Sequence, residues 1–154
     1  MAVSDYIGRT IDVLAFQGGT AVGEVELDRA LVGDTGEGAI TTGIQKLAQK
    51  WLLTLLNEKG TVKYKPNFGT TFMSELRMGN VSTDQNLFAL FNATELDVKA
   101  QLLADEDETT PADEQYKESN IISATVIPGY VNITVTLASQ SSTAEFIVPI
   151  PLVV

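Results

Sequence analysis

The sequence predicts an α+β fold: a small antiparallel or mixed sheet packed on two or three helices, one of them long and amphipathic, with a strand meander at the C-terminus. Three observations predict it. Residues 44–56 carry one unbroken apolar stripe at helical period. Residues 121–150 carry three strand-like segments parted by turn residues, with strict period-two alternation over 130–138. The chain has 154 residues, 44% of them apolar and 19% charged, which is enough apolar material for one core and too little charge for global disorder.

The N-terminal part reads as β. Residues 10–16 alternate, with Ile11, Val13 and Ala15 on one side and Asp12, Leu14 and Phe16 on the other, and Gly18-Gly19 ends the run. Residues 24–28 alternate again, with Val25 and Leu27 facing in and Glu24, Glu26 and Asp28 facing water. Residues 33–38, Gly-Asp-Thr-Gly-Glu-Gly, form a loop of residues that tolerate positive φ. This divides the chain into a β-rich arm, 1–38, and an α+β domain, 39–154.

The long helix is expected over residues 42–58. Ile44, Leu47, Ala48, Trp51, Leu52, Leu55 and Leu56 build its stripe, while Leu53 lies off it and meets a second layer or a partner. Thr42-Gly43-Ile44-Gln45 fits a capping box, and Gly60 suits the C′ position. Residues 62–65 alternate as a short strand, and Pro66-Asn67-Phe68-Gly69 is a turn. Residues 70–78 predict a short helix burying Phe72, Met73 and Leu76. A further helix begins at Ser82 or Thr83 with Leu87, Phe88, Leu90 and Phe91 inward, breaks at 92–94, and resumes with Val98, Leu102 and Leu103.

Residues 105–118 read as a solvated loop around the acidic run Asp105-Glu106-Asp107-Glu108. Strands are then expected at 121–127, 130–138 and 143–150. Val131, Ile133, Val135 and Leu137 share a face, as do Ala144, Phe146, Val148 and Ile150. Pro149 and Pro151 bar the last strand from a central place, because proline cannot donate to a ladder. The chain ends in the apolar Leu152-Val153-Val154.

Composition narrows the chemistry. The chain has no Cys and no His, which removes thiol nucleophiles, disulfides, zinc sites and His-based triads. Ten basic residues against twenty acidic ones give a net charge of −10, which disfavours nucleic acid and anionic membranes as partners. No segment approaches the ~20 apolar residues of a membrane span, and no signal-peptide pattern is visible, so a soluble protein is expected. No cofactor, metal or catalytic residue is expected. A carboxylate pair for glycoside chemistry needs ~5–9.5 Å between two acids, and nothing in the spacing brings Glu58 to the 105–108 run. The G-x-x-G-x-G of 33–38 lacks the Lys and Ser/Thr of a phosphate cradle and carries Asp34 and Glu37 instead.

Two features point to partners. Lys59, Lys63, Lys65 and Arg77, with Lys46 and Lys50 nearby, form the one locally basic stretch, interleaved with Tyr64 and Phe68. The terminal strand, with Phe146, Val148 and Ile150, is a Pro-bearing edge that a foreign strand can extend, unless the tail folds onto its own core.

The middle of the chain resembles the small baseplate wedge, or sheath-initiator, family of contractile phage tails, whose members are often labelled lysozyme-like. The resemblance spans roughly residues 39–150. It rests on Gly43-Ile44-Gln45-Lys46-Leu47, on residues 52–60, and on Tyr64-Lys65-Pro66-Asn67-Phe68-Gly69-Thr70. Glu58, Pro66, Phe68 and Gly69 match the family's helix end and P-x-F-G turn, although Gly60 follows Glu58 instead of preceding it. The family's Glu-Pro-Arg cluster before the first meander strand is replaced here by Lys117-Glu118-Ser119-Asn120.

The resemblance implies a structural, non-enzymatic virion protein, made in the host cytoplasm and placed in the tail baseplate. Its implied partners are the tail sheath protein and other baseplate wedge proteins, with the tail tube as a further neighbour. About six copies would form a ring that starts sheath assembly by strand exchange. The residues expected to meet partners are Glu58, Lys63, Lys65, Pro66, Phe68, Gly69, Phe146, Val148 and Ile150. Deleting residues 146–154 is expected to leave a folded domain that no longer initiates sheath. Two alternatives stay open: a carboxylate-dependent muramidase of the baseplate, and another tail or connector structural protein.

Overall fold

The computed structural model describes residue 9, residues 12–13, 17–18 and 25–28, and residues 40–152. Four short strands come first: β1 (Asp12–Val13), β2 (Gln17–Gly18), β3 (Val25–Asp28) and β4 (Ile40–Thr41). Three helices follow, α1 (Gly43–Leu56), α2 (Phe72–Arg77) and α3 (Asp84–Asp105), and then β5 (Tyr116–Ile127), β6 (Tyr130–Ser139) and β7 (Thr143–Pro151). The architecture is α+β. The last three strands form an antiparallel meander in the order β5-β6-β7, while β1 pairs with β4 and β2 with β3 in two small antiparallel ladders. The expected loop at 33–38 and most of the 1–38 arm lie outside the described residues. Of the expected strand at 10–16, only β1 falls within them, and Gly18 belongs to β2.

α1 follows its stripe. Leu47, Ala48, Trp51, Leu52 and Leu55 are buried, with Ile44 and Leu56 packed at the margin. On β6 and β7, Val131, Ile133, Val135, Leu137, Phe146, Val148 and Ile150 all turn the same way, into the core. α1 lies over β6 and β7, and α3 lies along β5. The Trp51 ring joins these layers. Its centroid is 5.8 Å from that of Phe91 on α3, and 5.5 Å from that of Phe146 on β7 in an edge-on contact. Aromatic pairs prefer such tilted arrangements.

The structure corrects several expectations. Residues 62–65 form a turn instead of a strand, because the chain between Gly60 and Pro66 reverses twice: Thr61 N–H donates to the Glu58 carbonyl and Lys65 N–H to that of Val62. α3 runs unbroken through 92–94. Thr94 donates its hydroxyl to the Leu90 carbonyl within the helix, at 2.8 Å, so it needs no break to satisfy that group. Leu103 stands 45% exposed instead of continuing the inner face. β5 starts at Tyr116, five residues early, and accommodates bulges at Lys117 and Ile122, the second of which leaves Ile122 52% exposed. α1 ends at Leu56 with Asn57 as its cap, so Gly60 is not its C′ residue.

The capping box is also replaced. Thr42 is the N-cap of α1, but its side chain makes no capping bond. The N–H of Gly43 donates instead to Oε1 of Glu114, 3.0 Å away, from the segment just before β5. Oε2 of Glu114 accepts from Nζ of Lys46 at 2.8 Å, and Arg9 NH1 donates to Oδ2 of Asp113 at 2.7 Å and to the Thr42 hydroxyl at 3.1 Å. A carboxylate at a helix N-terminus is favoured by the helix dipole. Lys46 therefore belongs to a buried polar cluster and not to the basic surface.

Candidate functional site

The segment between α1 and α2 is built as a rigid knuckle. Residues Glu58 and Thr70 form an isolated parallel bridge, with Thr70 N–H donating to the Asn57 carbonyl at 2.9 Å and Lys59 N–H to the Thr70 carbonyl at 3.0 Å. The Thr70 hydroxyl donates to the Leu55 carbonyl at 2.7 Å and closes the otherwise open end of α1. Gly69 then passes against this backbone at φ +97; a Cβ there would stand 2.4 Å from the Asn57 oxygen, so only glycine fits. The Gln101 side chain of α3 holds Gly69 from the other side. It accepts from the Gly69 N–H and donates to the Gly69 carbonyl, both at 2.9 Å.

This frame presents Lys63, Tyr64, Lys65 and Pro66 to solvent, with Tyr64 90% exposed. Phe68 is half-buried against α3, beside a shallow cavity of about 270 Å³ that Lys65, Pro66 and Gln101 also line. Lys65 Nζ lies 3.8 Å from Oδ1 of Asp105, an exposed pair that contributes little to stability. Glu58 is committed to its own fold: Oε1 accepts from the Ser74 hydroxyl at 3.0 Å, and Oε2 lies 3.5 Å from Arg77 NH1. The turn thus brings Glu58, Lys63, Lys65, Pro66, Phe68 and Gly69 together. Arg77 also lines an apolar cavity of about 440 Å³ between α2 and the end of β7, with Met73, Leu76, Pro151 and Leu152.

The other candidates sit differently. Phe146, Val148 and Ile150 have exposures of 0%, 0% and 2%. Their side chains fill this chain's own core and are not available to a partner. It also follows that the deletion of 146–154 removes core, which corrects the expectation of a folded remainder.

The register shows which backbone groups that edge offers. Ser139 N–H donates to the Ser142 carbonyl at 2.8 Å, and Leu152 N–H donates to the Gly129 carbonyl at 2.8 Å. Between these closed pairs, residues alternate in steps of two. Residues 144, 146, 148 and 150 bond to β6, while 143, 145, 147, 149 and 151 turn their polar groups outward. Pro149 and Pro151 therefore occupy positions where the missing N–H would have faced out, and the outward donors are those of Thr143, Glu145 and Ile147. β3 runs beside β7, and among the described residues the two form no ladder.

The opposite edge is capped at its two ends. Val126 N–H donates to Oδ1 of Asp84, at the start of α3, at 2.8 Å. Tyr116 N–H donates to Oε1 of Glu106, just after α3, at 2.5 Å. Side chains thus end both ends of the β5 edge.

Between α1, α3 and β5 lies a buried polar network absent from the sequence reading. Trp51 Nε1 donates to the Ser119 hydroxyl at 3.2 Å, Ser119 donates to Oε1 of Glu95 at 2.9 Å, and the Tyr116 hydroxyl donates to the same carboxylate oxygen. Burial, and then the bond to Glu95, push the Tyr116 phenol above its ordinary range, so it stays protonated. Arg9 is likewise held protonated, chiefly by its hydrogen bond to Asp113. In the acidic loop, the hydroxyl and N–H of Thr109 hold Asp107 below the usual carboxylate range. Among the described residues, no helix is long and apolar enough to cross a membrane, and no group of three or more acidic side chains is placed to hold a metal ion. No family model matches the chain, and comparison with curated proteins and with solved structures finds no similar one.

Proposed function

We propose that this chain is a structural component of a contractile tail baseplate that starts sheath assembly and joins the sheath to the wedge. Its partners are the tail sheath protein and other wedge proteins around the tail tube, and it acts by adding strands to its sheet and not by transforming a substrate. The observation that carries this reading is the outer edge of β7, where the register turns the N–H groups of Thr143, Glu145 and Ile147 away from β6 and towards the side on which an N-terminal strand, β3, runs, while Asp84 and Glu106 cap the two ends of the β5 edge. Strand addition supplies a series of backbone hydrogen bonds at low cost in specificity, which suits a ring that must hold through contraction. The knuckle at 58–69 is a second docking surface, stiff because Gly69 is clamped between Asn57 and Gln101.

Removing the chain from a phage that encodes it tests the reading. Baseplates bearing tail tubes without sheath are expected, and restoring the chain is expected to restore sheathed tails. Normal sheathed tails in its absence, or a defect confined to the head–tail junction, would overturn it. The purified protein is expected to leave peptidoglycan uncleaved.

A further inference from the structure

We infer that the outer face of α3 is a seam for a second copy of this chain, met in the parallel sense so that the two α3 helices form a short coiled coil. The inference goes beyond the baseplate reading and does not depend on it.

α3 is apolar on two sides. Leu87, Phe91, Val98 and Leu102 are buried on the side that packs against β5, α1 and α2. On the opposite side Ala89, Ala93, Leu96, Ala100 and Leu103 are all exposed, Leu96 by 65%. Their steps of four, three, four and three residues are the rhythm of a coiled-coil seam, which a second helix follows and a strand does not. In heptad terms Ala93 and Ala100 take the a positions, and Leu96 and Leu103 the d positions. Leucine at d suits a parallel two-stranded coil, and alanine at a lets the helices approach closely. The exposed Asn86 takes the a position one heptad before Ala93, where a single asparagine fixes register.

Charge selects the occupant and its direction. Asp97 flanks the row on one side, next to Leu96, and Lys99 flanks it on the other, next to Ala100. Both are exposed, and among the described residues neither has an ion-pair partner. A parallel copy, related by a two-fold axis along the helices, sets the Asp97 flank of each against the Lys99 flank of the other. The opposite charges are then offset by two residues, about 3 Å along the axis. An antiparallel copy would set Asp97 against Asp97 and Lys99 against Lys99. Exposed pairs add little affinity, so their effect is to choose the direction. From Asn86 to Leu103 the seam is about 26 Å long and mostly alanine, and it covers less than the ~800 Å² per partner of a standard interface. Each copy also carries a net charge of −10. The dimer is therefore weak, populated near 0.1 mM protein and dissociated near 1 µM (both to about an order of magnitude).

Sedimentation equilibrium of the full-length chain up to about 0.5 mM tests this, and should resolve a monomer–dimer equilibrium. Leu96→Asp changes an exposed side chain, so it should leave the melting temperature in place and weaken the dimer at least tenfold (roughly the loss of one buried leucine contact). Asp97→Lys alone, or Lys99→Asp alone, should weaken it about three- to tenfold, and the two together in one chain should restore it. The chain has no Cys, so a single Ala100→Cys reports the direction. In a parallel pair residue 100 meets its own counterpart, and mild oxidation should link the dimer several-fold faster than for Ser141→Cys, in the exposed turn between β6 and β7.

A chain that stays monomeric at that concentration would overturn the inference and leave the seam to a helix of a different protein. So would a dimer indifferent to Leu96→Asp, a double charge exchange that fails to restore what the single ones lose, or equal cross-linking of the two cysteine variants.

Discussion

Replacing Gly69 with alanine should be among the most damaging single changes outside the core, and Gly60 supplies its control. Both glycines have positive φ, +97 and +90, which an alanine reaches at a cost of about 1–2 kcal/mol. At Gly60 a Cβ would meet nothing within 4 Å, so that backbone term is the whole effect. At Gly69 the Cβ would lie 2.4 Å from the Asn57 oxygen and 2.9 Å from its carbonyl carbon, both backbone atoms that cannot rotate away. The segment carrying Gly69 must then move off, at the expense of the Thr70-to-Asn57 bond and at least one bond to Gln101. At about 1 kcal/mol per hydrogen bond, Gly69→Ala should cost about 3–4 kcal/mol in all. For a chain of this size, that lowers the melting temperature by about 10 °C. Urea unfolding followed by the fluorescence of the single, fully buried Trp51 measures both variants. Equal losses for Gly60→Ala and Gly69→Ala would refute the clamped geometry of the knuckle.

Other changes probe other parts. Tyr116 is held protonated in the fold, above its ordinary value near 10, while the unfolded chain releases the proton near that value. Tyr116 then keeps its proton in the folded state above pH ~10, so its contribution to stability should be level below pH ~10 and fall above it by up to ~1.4 kcal/mol per pH unit. Denaturation at stepped alkaline pH should show a shallower decline for Tyr116→Phe than for the unsubstituted chain. Glu114→Ala removes the N-terminal cap of α1 and the carboxylate at Lys46, and should destabilise by about 2–4 kcal/mol. Glu114→Gln keeps an acceptor for Gly43 and should lose about half as much, a ranking that thermal melts would check. A chain ending at residue 145 loses three buried apolar side chains worth about 5–9 kcal/mol, close to the whole stability of a typical domain, and should show no cooperative unfolding by circular dichroism.

What was legible in the sequence was periodic. The stripe of α1 and the alternation of β6 and β7 each repeat a local rule several times, so the helix, the meander and their buried faces follow from spacing alone. The proline pair placed β7 at an edge for a reason that the register bears out. What was illegible depends on partners far along the chain. Thr42 lost its capping role to Glu114, which accepts from the Gly43 N–H across 71 residues, and β5 began early because Tyr116 and Ser119 are held by Trp51 and Glu95. Residues 62–65 alternate as a strand does, yet among the described residues no strand pairs with them, and the local turn bonds win. At the candidate site, the P-x-F-G turn was visible, but the clamp from Gln101 and the capping of the β5 edge at its ends by Asp84 and Glu106 were not. Those are single polar residues on a helix surface or in a loop, and nothing in their spacing marks them.

The most direct measurement is a side-chain-resolution reconstruction of the assembled tail of a phage that encodes this chain. The account predicts a ring of these subunits beneath the first layer of sheath. An extended segment from a neighbouring molecule should be hydrogen-bonded along the β7 side of the β5-β6-β7 sheet. Subunits seated in the particle with that side of the sheet bare, or held to their neighbours through other surfaces alone, would contradict it.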